Sequence, residues 1–178
     1  FNTKLKSKFI SLGVQNCHYH QGYGPFTGSI NASMLKKAGA KYIILGHSEN
    51  RAEGETNYLI KKKIISALKQ KLNIIYCIGE TLKEKNKGKT FSILREQMKS
   101  SLEKKFNINK IIFAYEPVWS IGTNKIPKID KLKKTIEFIK KDLADQDIAV
   151  SFIWGADFAA GASIGLISVV LIDKCNAL

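Results

Sequence analysis

Ile111-Ile112-Phe113-Ala114-Tyr115-Glu116-Pro117-Val118-Trp119 is the stretch that decides the fold. An unbroken apolar run, rich in β-branched and aromatic residues, stops at a carboxylate followed by proline. Such a run suits a strand buried on both faces of a parallel sheet. Parallel sheets meet their ligands at the loops after the carboxyl ends of strands. The titratable group therefore stands where a site is expected.

Similar runs lie on either side. Ile43-Ile44-Leu45, Ile74-Ile75-Tyr76-Cys77-Ile78 and Val150-Ser151-Phe152-Ile153-Trp154 read as strands, with weaker candidates at 9–15 and 167–172. Amphipathic helices separate them. Ile60, Ile64, Ala67 and Leu68 share a helical face with lysines opposite, as do Leu94, Met98 and Leu102, and Leu132, Ile136, Ile139 and Leu143. Repeated strand–helix units predict an α/β fold, a parallel sheet covered by helices. Periodicity does not separate a doubly wound sheet from a barrel. No GxGxxG follows a strand and no Walker-type loop occurs, which disfavours nucleotide binding.

The 178 residues suffice for one domain, taken as 1–178, and a hydrophobic fraction of 44% argues against disorder. The formal charge of +14 raises nucleic acid as a partner. The basic residues are dispersed, however. Lys61-Lys62-Lys63, Lys133-Lys134 and Lys140-Lys141 fall inside helical patterns, so a solvated lysine-rich surface is expected and no nucleic acid. Cys17, Cys77 and Cys175 are odd in number and form no CxxC, which suggests reduced thiols in a cytoplasmic protein. The apolar segment 158–172 falls short of the ~20 residues that span a bilayer, so no membrane partner is expected.

The rim residues read two ways when taken singly. His47 follows Ile43-Ile44-Leu45-Gly46 and could polarise a carbonyl or shuttle a proton; equally it could be a satisfied structural imidazole. Glu49 is a loop-fixing carboxylate or a proton carrier. Glu116 is a base shielded by apolar neighbours or a partner for a lysine. Pro117-Val118-Trp119-Ser120-Ile121-Gly122-Thr123 is a plain connector or a lid hinged at its ends. His18 and His20 lack a third ligand at convincing spacing, so no metal site is expected. Cys77, within a strand, reads as an inert buried thiol.

Gln15-Asn16-Cys17, Gly24-Pro25-Phe26-Thr27-Gly28, Lys41-Tyr42-Ile43-Ile44-Leu45-Gly46-His47-Ser48-Glu49, Cys77-Ile78-Gly79-Glu80 and Ala114-Tyr115-Glu116-Pro117-Val118-Trp119, extended by Ile121-Gly122-Thr123, resemble successive motifs of the triosephosphate isomerase family. They stand in the family's order, most clearly across 9–125. The resemblance implies a TIM (β/α)8 barrel, here an incomplete one of about six β/α units. It implies interconversion of dihydroxyacetone phosphate and glyceraldehyde 3-phosphate through an enediolate, without cofactor or metal. Glu116 then moves the carbon-bound proton, His47 polarises the carbonyl and Glu49 supports the site. The segment of Pro117, Val118, Trp119, Ser120, Ile121 and Thr123 forms the lid, with the Gly122 amide as a substrate contact. The loop at Phe26 and Thr27 resembles the arm that reaches into a second subunit, implying a homodimer.

Departures accompany the likeness. The chain opens on Phe1, and no stretch matches the family's first strand with its substrate-binding asparagine and lysine, so about two β/α units are expected to be missing. At the other end, Asp157 stands where the family's phosphate turn has serine, and Asp173-Lys174 replaces a Gly-Gly pair. A carboxylate there repels phosphate, and side chains there keep backbone amides away from it. Five aspartates and no lysine or arginine occur between Asp142 and Asp173. The region 142–178 is accordingly expected to be divergent. Little activity is expected of the chain alone, and a non-catalytic barrel remnant or interaction protein is the alternative function.

Overall fold

The computed structural model describes residues 11–121, 123, 125–144 and 169–170. The expected strand at 150–154, the substrate contact at Gly122, and the departures at Asp157, Asp173 and Lys174 lie outside these residues.

Four strands, β1 (Ser11–Val14), β2 (Tyr42–Leu45), β3 (Asn73–Ile78) and β4 (Ile111–Tyr115), pair in parallel in chain order. Helices α1 (Ala32–Lys37), α2 (Ser48–Ala52), α3 (Asn57–Lys69), α4 (Leu82–Asn86), α5 (Thr90–Ser101) and α6 (Ile129–Ala144) fill the connections, with single 3-10 turns at Ile108–Lys110 and Val118–Ser120. This is an α/β architecture, a parallel sheet with covering helices. One expectation is corrected at its edge. Of the candidate strand 167–172, the described residues form β5 (Val169–Val170), which pairs antiparallel with β1 rather than in parallel. Among the described residues, it is the neighbour of β1 on the edge away from β2.

The strands alternate between two apolar layers, as a two-residue period requires. Ile74, Tyr76 and Ile78 of β3 join Ile43, Leu45, Ile111, Phe113 and Tyr115 beneath the helices. Ile75, Cys77 and Ala114, with Ile44 and Ile112, form a smaller cluster on the other face. Both faces are apolar, and so the strands read as continuous hydrophobic runs. Helix α3 starts where Thr56 accepts a hydrogen bond from Leu59 N–H and lays fully buried Ile60, Ile64 and Ala67 on the sheet. Each buried isoleucine contributes about 2 kcal/mol.

Two side chains depart from their pattern. On α6, Thr135 is buried whereas Ile136 is only half-buried; its hydroxyl donates to the Lys131 carbonyl at 2.9 Å, which makes the burial tolerable. The lysine run of α3 is not uniformly solvated. Lys61 meets Glu103 at 2.9 Å and Lys62 lies over the Tyr58 ring. Lys63 turns inward to Glu55 and Asn16 Oδ1, with a side chain only 12% exposed. Among the described residues no helix is long and apolar enough to cross a membrane.

Candidate active site

The site is assembled by register. Leu45 lies opposite Tyr76, and Ile78 opposite Tyr115. The next residues along β3 and β4, Gly79 and Glu116, are therefore neighbours at the carboxyl rim. Glu116 N–H donates to the Ile78 carbonyl at 2.8 Å. Glu116 continues the series Ile112, Ala114 on the smaller apolar face, so its side chain leaves the sheet on that side.

β2 reaches the rim one strand away and turns sharply. Gly46 has φ +74, a conformation that costs other residues strain. This turn brings His47 to the N-cap of α2, where its Nδ1 accepts from Glu49 N–H at 3.3 Å. Arg51 locks the turn from within α2, donating to the Gly46 carbonyl at 2.7 Å, the Cys77 carbonyl at 3.3 Å and Asn57 Oδ1 at 2.7 Å. The guanidinium is thereby committed to holding β2 against β3.

His47 and Glu116, 69 positions apart, then meet: Nε2 lies 2.9 Å from Oε1. Ser48 adds its N–H to Oε2 at 3.2 Å and its hydroxyl to Oε1 at 3.3 Å. Glu49 contributes differently. Its carboxylate is 81% exposed and 3.7 Å from Nδ1, so its backbone amide, rather than its acid group, makes the hydrogen bond to the ring.

Two influences act on His47 in opposite senses. The hydrogen bond to Glu116 raises its pKa above the ordinary 6.5, burial opposes this, and the charges of Glu116 and Glu49 add to the rise. The amide on Nδ1 needs a lone pair there, which only the neutral ring offers. Neutral imidazole with its proton on Nε2 satisfies both contacts, donating to Glu116 and accepting from Glu49. The contact with Glu116 is thus the chief cause of the rise, and burial the influence against it.

The segment proposed as a lid is anchored at its start by Glu80, a carboxylate only 1% exposed and two residues past the end of β3. Glu80 accepts from Tyr115 Oη at 3.0 Å and Trp119 Nε1 at 2.8 Å, and its carbonyl accepts from Val118 N–H at 3.1 Å. Burial and the adjacent Glu80 charge hold the Tyr115 phenol far above its usual range, so it stays a donor. Pro117 is buried, Val118, Trp119, Ser120 and Ile121 are half-buried, and Thr123 is exposed. Lys85 lies over the Trp119 ring at 2.9 Å from its centre.

Sequence reasoning places Ser48 and Glu80 within motifs but assigns neither a role, and it misses Gln97 altogether. Gln97 carries a signal, being polar between Leu94 and Met98 on the buried face of α5. Cys17 and Cys77 are free and buried; burial pushes Cys17 up to about 12 and Cys77 higher still, so both remain protonated thiols. His18 and His20 belong to an aromatic stack with Phe26. Phe26 is half-buried and Thr27 exposed.

Parallel strands alternating with covering helices, with titratable groups gathered at the carboxyl rim, define a protein of the β/α-barrel class. The model of the triosephosphate isomerase family matches residues 1–168. The chain is 37% identical over 152 residues to triosephosphate isomerase of Leptospira interrogans, covering 84% of this chain and 60% of that protein. It is 48% identical over 117 residues to that of Prosthecochloris aestuarii, covering 65% and 46% respectively. The crystal structure of triosephosphate isomerase from Bartonella henselae superposes with a TM-score of 0.70 at 34% identity, over 79% of this chain and 58% of that one. The chain belongs to the triosephosphate isomerase family. It spans roughly half to two thirds of the length of the curated relatives it matches, from 46% to 66%.

Proposed function

We propose that the chain carries the proton-transfer residues of a triosephosphate isomerase, interconverting dihydroxyacetone phosphate and glyceraldehyde 3-phosphate. The observation that carries this reading is the 2.9 Å contact of His47 Nε2 with Glu116 Oε1 across two strand ends. Glu116 is the base, taking a proton from the carbon beside the carbonyl and returning it to the next carbon. His47, neutral and with Nε2–H directed outward, donates to the carbonyl oxygen and then to the enediolate oxygens. A substrate between them replaces the direct contact, and Glu116 exchanges its bonds to His47 and Ser48 for the reacting carbon.

The Glu49 amide keeps the Nε2–H tautomer throughout. Pro117, Val118, Trp119, Ser120, Ile121 and Thr123 form the lid that excludes water, with Gly122 as the phosphate contact, and Glu80 is the anchor of its first half. The exposed arm around Phe26 and Thr27, with Tyr23 91% exposed, supports a second copy of the chain as partner. A cytoplasmic setting accords with the two free, buried thiols.

Turnover of glyceraldehyde 3-phosphate is the test, measured on this chain and on a fusion that supplies the remaining length of a relative. Glu116→Gln and His47→Leu are expected to lower kcat by about 10²-fold or more in whichever form is active. Unchanged kcat in both variants of an active form would remove the reading.

A further inference from the structure

Helix α5 turns an apolar stripe to the sheet, with Leu94 and Met98 buried, and Gln97 and Ser101 interrupt it. Gln97 is only 9% exposed, and both the oxygen and the nitrogen of its amide are hydrogen-bonded. Its Oε1 accepts from Gly79 N–H at 2.9 Å and its Nε2 donates to the Gly79 carbonyl at 2.9 Å. One planar side chain thus closes a ring on both polar groups of a single residue, as a neighbouring strand would. Tyr76, fully buried in β3, donates its hydroxyl to the Gln97 carbonyl at 2.8 Å and so fixes the helix against the same strand.

Gly79 is the first residue past β3, and what lies against it is the backbone of Glu116. A Cβ on Gly79 would overlap the Glu116 carbonyl oxygen and sit 2.6 Å from its carbonyl carbon. Glu116 N–H is bonded to the Ile78 carbonyl, and Val118 N–H to the Glu80 carbonyl. Residues 78–80 are therefore the surface on which Glu116 and the start of its loop rest. We propose that Gln97 is a positioning residue for Glu116, setting the height of that carboxylate above the rim through the Gly79 peptide. The functional part of this rests on Glu116 being the base; the geometric part does not.

An amide is required because Gly79 offers one donor and one acceptor together. Leucine satisfies neither, and ionised glutamate presents an acceptor to the Gly79 carbonyl. Neutral glutamic acid, with one O–H and one C=O, restores the pattern. The test follows the His47 ring nitrogens and the Ser48 amide by NMR in the chain itself, in Gln97→Leu and in Gln97→Glu, with Glu116→Gln as the reference for a lost contact.

In Gln97→Leu the His47 midpoint is expected to fall and the Ser48 amide signal to move, both in the direction of the reference. In Gln97→Glu the Ser48 signal is expected to be displaced at high pH and to return on acidification; this variant decides the matter if Gln97→Leu does not fold. In an active form, kcat is expected to drop roughly 10–100-fold with KM within about twofold, because misplacement affects the transition state more than binding. Folded variants that keep the parent His47 and Ser48 signals and lose only thermal stability would overturn the proposal. Absence of turnover in every form counts against Glu116 as base, while the NMR shifts still decide whether Gln97 positions that carboxylate.

Discussion

Two loops leave the same rim of the sheet and are held in contrasting ways. After β4, Glu116, Val118 and Trp119 are bound to Ser48, His47 and Glu80, residues far away in sequence. After β1, the tip of the arm packs mostly on itself. The Phe26 ring lies 4.2 Å from that of His20 and 4.9 Å from that of His18, and the neighbouring Tyr23 stands 91% in solvent. A cavity of about 190 Å³ opens between these rings and Met34, away from Glu116. Anchors from separate strands fix a side chain relative to the scaffold, which proton transfer needs. Local stacking, tied to α3 by Lys69 on Gln21 and Lys62 over Tyr19, holds a loop less firmly than that, which suits a surface that meets another molecule.

The contrast breaks most severely at Gly79. Gly79→Ala drives a methyl group into the Glu116 carbonyl, and the carbonyl cannot retreat while Glu116 N–H is bonded to Ile78. The expected loss of stability is at or above the upper end of the roughly 1–3 kcal/mol typical of overpacking, read from urea unfolding. A loss under about 1 kcal/mol would mean that the rim yields as easily as the arm.

Glu80→Leu comes next. It leaves the buried Tyr115 hydroxyl and the Trp119 N–H without their acceptor. About 2–3 kcal/mol should be lost, with a red shift of Trp119 emission in a Trp154→Phe background as the indole reaches water. An unshifted emission would show that the loop is held by its backbone alone.

Glu116→Gln sharpens the comparison with a smaller effect. His47 has its pKa raised chiefly by the hydrogen bond to Glu116. The stabilisation this pair contributes is fully present below the unfolded value near 6.5 and disappears as pH rises through the higher folded value. The stability gap between parent and variant should therefore be largest on the acid side, at under about 1 kcal/mol for a partly exposed pair, and close on the alkaline side. The His47 midpoint itself, followed by NMR, should fall in the variant.

How much of the fold and site is legible in the sequence varies with the range of the interaction. β2, β3 and β4 can be read from their apolar runs, since burial on both faces leaves a continuous signature. The helix faces of α3 and α5 can be read from spacing. Thr135 cannot, because its hydroxyl is satisfied by a carbonyl one turn back and leaves no trace in hydrophobic periodicity. Lys63 hides within a lysine run for a related reason: the inward partner, Glu55, lies in a different turn. The antiparallel pairing of β5 is a matter of which edge is open, and local pattern does not encode edges. His47 and Glu116 are individually visible as titratable groups at strand ends, but their convergence comes from family resemblance and register. Gln97 shows only as a polar residue on a buried helix face; its partner, a glycine peptide 18 positions earlier, leaves no local trace.

The smallest effect belongs to the arm. Thr27→Ala removes an exposed hydroxyl next to Gly28, whose φ of +81 shapes the turn independently of its neighbour's side chain. In dilute solution, where sedimentation reports a monomer, the change should stay within about 0.5 kcal/mol. At concentrations where a second copy binds, the proposed homodimer covers this surface and the same substitution should lower the melting temperature further, because association stabilises only the folded state. The rim variants behave otherwise, since Gly79 and Glu80 are already enclosed within one chain and their losses should be independent of concentration. Equal concentration dependence for Thr27→Ala and Glu80→Leu would erase the distinction between a loop fixed from within and a loop awaiting a partner.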